Sequence, residues 1–107
     1  AGQLFQKFAQ NYPTDSRAGT AVYWWGETAY VQLDFTSAAT IYMNGYQKYP
    51  QSPKAANMLL GAGLSLAKLG KTKEACTAFA MLSSQYPNAT GLVTRLAAAE
   101  KSRLNCR

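Results

Sequence analysis

Tyr12-Pro13, Tyr49-Pro50 and Tyr86-Pro87 recur at an interval of 37 residues in a chain of 107. A fixed interval of this size constrains the fold more than any local propensity does. Each unit is too small to bury its own apolar face and must stack on its neighbours. The agreement extends beyond the dipeptide. Phe5, Tyr42 and Phe79 stand seven residues before the three tyrosines, and Ala1, Ala38 and Ala75 four residues before those aromatics. Gly26 and Gly63 keep the same interval, as do Ala18 and Ala55, while Val22 and Leu59 match in apolar character.

Within a unit the period is helical. Ala38, Tyr42, Gly45, Tyr46 and Tyr49 follow one another at steps of three and four, as do Ala75, Phe79, Leu82 and Tyr86. A second stripe precedes each: Val22, Trp25, Gly26, Ala29 and Leu33, then Leu59, Ala62, Gly63, Leu66 and Leu69. Each unit is therefore two helices. The pattern predicts helices over 1–11, 16–32, 35–48, 54–69, 72–85 and 91–104, and no strand. Ser52, followed by Pro53 at the first helical position, reads as an N-cap, and Asp34 and Thr72 read as caps of the second helices. Gly70 reads as a helix stop, and each Tyr-Pro ends a second helix, because proline lacks a donor N–H and turns the preceding residue out of the helical region.

A helix pair carrying Val22, Trp25, Gly26, Ala38, Tyr42, Gly45 and Pro50, and again Leu59, Ala62, Gly63, Ala75, Phe79, Leu82 and Pro87, resembles the tetratricopeptide repeat. The fold expected is all-α: a right-handed superhelix of antiparallel helix pairs closed by a C-terminal capping helix. Its parts are a partial repeat at 1–13, repeats at 14–50 and 51–87, and a capping helix and tail at 88–107. That register makes the chain a fragment of a longer one, and it puts Glu100 where Gly26 and Gly63 sit. The unit is longer than the usual ~34 residues, and Ala29 and Leu66 stand where an aromatic is common.

The strings Ala21–Tyr30, Tyr46–Ala55 and Glu74–Phe79 are similar to the C-terminal repeat domain of the Tol-Pal system family YbgF/CpoB. This resemblance implies a periplasmic protein that binds TolA, trimerises through an upstream coiled coil, and coordinates outer-membrane constriction with septal peptidoglycan synthesis during cell division. Outer-membrane assembly lipoproteins with similar repeats share the Tyr-Pro-x-Ser-x-x-Ala connector, so that reading stays open. A peptide- or glycan-binding accessory domain of an envelope enzyme is a third.

The residue inventory points away from catalysis. There is no histidine, which removes imidazole ligands and the commonest general base. The five carboxylates form no pair three or four apart on one helix, and Gly70-Lys71-Thr72 lacks the glycine five residues earlier that a phosphate loop requires. The expectation is a non-enzyme without cofactor or metal, and without a transmembrane segment. Asn88-Ala89-Thr90 matches a glycosylation triplet that arises readily by chance. The net charge of +6 lies wholly in residues 54–107. There it suits helix ends, solvated faces or an acidic partner, and without interleaved aromatics it does not argue for nucleic acid.

If 91–104 lies antiparallel on 72–85, Cys106 comes within about a turn of Cys76. In an oxidising compartment the two would form a disulfide, the alternative being a buried thiol and a free tail thiol. In a stack of helix pairs the first helices line the concave surface. Tyr23, Glu27, Tyr30, Asn57, Leu60, Leu64, Lys68, Thr94 and Lys101 then face a groove suited to a partner's helix or extended segment. The alternative is that these residues only contact the adjoining unit.

Overall fold

A computed structural model of the chain describes residues 2–106. Ala1, assigned above to a small-residue slot, and Arg107 lie outside them. The described residues form six helices and no strand: α1 Gln3–Asn11, α2 Ala18–Val31, α3 Phe35–Lys48, α4 Ala55–Lys68, α5 Thr72–Gln85 and α6 Gly91–Arg103. None is long and apolar enough to cross a membrane. Each helix packs on the next, so short connectors produce antiparallel pairs. In addition the backbones of α2 and α4, and of α4 and α6, approach closely, whereas those of α1, α3 and α5 stand further apart, α3 and α5 meeting through the Tyr46 hydroxyl, which donates to Gln85. That asymmetry curves the stack, with α2, α4 and α6 on its inner wall and α1, α3 and α5 splayed outside.

The core is built from aromatic rings set against glycines. Tyr42 and Phe79 are fully buried. The Tyr42 ring lies between two helices of the inner wall, and a Cβ on either Gly26 of α2 or Gly61 of α4 would come within 2.6 Å of it. One unit later, a Cβ on Gly63 would overlap the Phe79 ring. The glycines therefore permit a close backbone approach that any other residue would prevent. Phe5, the third aromatic of the series, is partly exposed, and α1 buries only Ala9.

Helix ends repeat as closely as the core. Tyr12, Tyr49 and Tyr86 cap α1, α3 and α5 with nearly identical φ, −130°, −126° and −130°. The hydroxyl of Tyr49 donates to the carbonyl of Pro13 at 2.9 Å, and that of Tyr86 to Pro50 at 2.8 Å. Each connector is thereby tied to the one before it. The inner-wall helices all end in a Schellman turn, in which the N–H groups of two successive residues reach back to carbonyls of the last turn. Leu33 and Asp34 donate to Tyr30 and Ala29, Gly70 and Lys71 to Ala67 and Leu66, and Asn105 and Cys106 to Ser102 and Lys101. The pivot residues take positive φ: Leu33 63°, Gly70 76° and Asn105 57°.

Several local expectations are corrected. Leu33, placed above in an apolar stripe, is a left-handed pivot that is 73% exposed. Asp34 caps α3 as expected, accepting from the Ser37 N–H at 3.2 Å. Thr72 is instead the first residue of α5, preceded by Lys71 with no side-chain cap. Ser52 does not cap α4, which starts at Ala55 after a turn. Its hydroxyl accepts from the Lys54 N–H at 3.1 Å, as Asp15 accepts from the Arg17 N–H at 2.8 Å one unit earlier.

Candidate protein-binding groove

Tyr23, Glu27, Tyr30, Asn57, Leu60 and Leu64 line a shallow concavity of about 260 Å³ between α2, α4 and α6, with Leu92, Val93 and Leu96 as its third side. It continues toward the C-terminal ends of these helices into a second hollow of about 430 Å³ bounded by Tyr30, Leu64, Lys68, Glu100 and Arg103. The period of three to four along α2 and α4 brings these side chains onto one face, and the curvature of the stack makes that face concave.

Thr94 and Lys101 do not join it. The Thr94 hydroxyl donates to Thr90 and Ala89 carbonyls at the start of its own helix, and Lys101 Nζ donates to Ser83 Oγ of α5 at 2.8 Å. The cause is a one-residue shift of register. α2 and α4 begin six residues after Tyr12 and Tyr49, whereas α6 begins five after Tyr86. One residue turns a helix by about 100°, so Val93 and Glu100 occupy the positions expected of Thr94 and Lys101, and Leu92 and Leu96 come onto the same face. Ala97 is buried instead, and Glu100 borders the groove rather than filling the slot of Gly26 and Gly63. The sequence signal for this face is the pair of apolar residues four apart, Leu92 and Leu96, whereas the fixed 37-residue interval points to their neighbours.

Both carboxylates of the groove are already engaged. Tyr42 donates its hydroxyl to Glu27 through the wall of the concavity. Burial, reinforced by this carboxylate, pushes the Tyr42 phenol far above its ordinary value, so it remains a neutral donor. Arg103 donates to Glu100 through Nε and Nη2 at 3.0 and 2.8 Å. These bonds hold the Glu100 carboxyl below its usual value, with Lys68 nearby acting in the same direction. Tyr23 and Tyr30 are raised chiefly by burial and then by neighbouring carboxylates. Lys54 Nζ sits 5.3 Å from the Tyr23 ring centroid and 5.9 Å from that of Trp24. The floor is thus apolar, rimmed by tyrosines, with lysines toward its ends.

Cys76 of α5 and Cys106 are joined as a disulfide, their Cα atoms 5.5 Å apart. The Schellman turn after α6 brings Cys106 under that helix, so the bridge anchors the end of the third groove wall.

The tetratricopeptide repeat family matches residues 58–89, a stretch from within α4 through α5 to the following connector. No curated protein matches the chain. The family match and the six-helix architecture agree on a tetratricopeptide-like helical repeat, a class whose members are generally non-catalytic protein-interaction modules.

Proposed function

We propose that this chain is a non-enzymatic protein-binding module of the bacterial cell envelope, acting in the periplasm. Its partner is TolA, and its process is the coordination of outer-membrane constriction with septal peptidoglycan synthesis. The observation that carries the reading is the concave wall, where Leu60, Leu64, Leu92 and Leu96 offer an apolar floor among tyrosine hydroxyls. Leu92 and Leu96 remain 59% and 43% exposed, an arrangement typical of a surface that gains burial on association. The Cys76–Cys106 bridge supports an oxidising compartment. The Tol-Pal assignment draws on the resemblance of the Ala21–Tyr30 and Tyr46–Ala55 strings described above.

Titration calorimetry with purified TolA tests this reading. Tyr30→Ala combined with Leu64→Ala is expected to weaken binding tenfold or more while the variant keeps its helical circular dichroism and a cooperative melt. Full affinity in the variant would remove the groove from the interface. Absence of any TolA binding by the wild type would remove the Tol-Pal assignment.

A further inference from the structure

We infer that the groove is shaped for one amphipathic helix of a partner protein, about four turns long, with an apolar face and carboxylates at both ends. This rests on the reading of the concave wall as a protein-binding surface, and it adds the chemistry and form of what binds there. Charge placement carries the first part. Lys54 stands at the start of α4 and Lys68 at its end, fourteen residues apart, a span of about 21 Å along a helix. Among the described residues neither lies within 4 Å of a carboxylate, the ion pairs being Arg17 with Asp15 and Arg103 with Glu100. The groove's own carboxylates, Glu27 and Glu100, are occupied by Tyr42 and Arg103. An acidic group arriving at either end therefore meets a lysine without an ion-pair partner within 4 Å, and Glu100, the carboxylate bordering Lys68, is already paired with Arg103.

The floor between the lysines selects a helix over an extended strand. Leu92 and Leu96, exposed and one turn apart on α6, form a ridge beside a floor made by half-buried Leu64 and buried Leu60, one turn apart on α4. Ridges of this spacing accept the i, i+4 ridges of a third helix. A strand laid on leucine side chains would instead leave its N–H and C=O groups without partners, whereas a helix satisfies its own.

The test uses three capped, fluorescein-labelled peptides of about sixteen residues, each with the same leucine stripe on an alanine background and with glutamate, glutamine or lysine pairs at both ends. Anisotropy titration at low salt is expected to rank glutamate above glutamine above lysine, with at least tenfold between the extremes, and the gap is expected to shrink at high salt. Lys54→Gln and Lys68→Gln are each expected to reduce the affinity of the glutamate peptide about two- to fivefold, the range of exposed ion pairs, and to leave the glutamine peptide unchanged. Leu96→Lys, at an exposed position, is expected to abolish binding of the glutamate and glutamine peptides. Equal binding of all three peptides, lost in Leu96→Lys, would overturn the charge pattern and leave the groove reading standing. No binding of any peptide, or binding that Leu96→Lys does not disturb, would overturn both.

Discussion

Leu33 and Gly63 show how far single side chains can agree or conflict with the backbone around them. Leu33 holds φ 63° in a turn where the next unit uses Gly70 at 76°, and its side chain is 73% exposed. A left-handed conformation costs an L-residue roughly 1–2 kcal/mol, and glycine gives back part of this through its freer unfolded chain. Leu33→Gly is therefore expected to stabilise the domain by about 0.5–1 kcal/mol, visible as a melting midpoint a few degrees higher. A lower midpoint would mean that the leucine makes a contact that outweighs its strain. Gly63 is the opposite case, because any Cβ there overlaps the fully buried Phe79 ring. Gly63→Leu is expected to destabilise by roughly 1–3 kcal/mol through overpacking, measured by urea unfolding. An unchanged midpoint would contradict the helix pairing of α4 with α5.

At the scale of elements, α6 is held by little besides its bridge. It buries only Val93 and Ala97, against eight residues of α4. A disulfide closing a loop with a sequence separation of 30 contributes roughly 3–4 kcal/mol in the chain-entropy picture. Reduction is expected to lower the melting midpoint and to release α6 before the rest, seen as loss of amide protection confined to residues of that helix. Uniform loss across α2 to α5 would show that the bridge supports the whole stack. The same helix carries the part of the groove that the sequence pattern conceals. Helix positions were readable throughout, because a 37-residue interval and a three-to-four period both act over many residues. The groove residues of α2 and α4 were readable for the same reason. The face of α6 was not, since one residue fewer in its connector rotates every side chain while leaving the helical pattern intact. Nor was the strained Leu33 legible, because a leucine at a helical step looks like core until the Schellman turn is seen.

The whole molecule is a short, curved stack measuring 40 × 28 × 19 Å, in which burial is concentrated at the centre. Tyr42, Met58, Leu59 and Phe79 are fully buried, while α1 contributes Ala9 alone. Stability in such arrays is a sum of units and nearest-neighbour contacts. Native-state hydrogen exchange is accordingly expected to grade outward, with α3 and α4 slowest and α1 fastest. Equal protection of α1 and α4 would show the domain to be a single cooperative block. Finally, the hydroxyls of Tyr49 and Tyr86 reach the carbonyls of Pro13 and Pro50, so each of these two joints is written inside one 37-residue block and its predecessor. Residues 51–87 thus constitute an interchangeable brick: copying them in tandem would lengthen the arch with no new fastening to invent, and the cradle on its inside would grow by the same step.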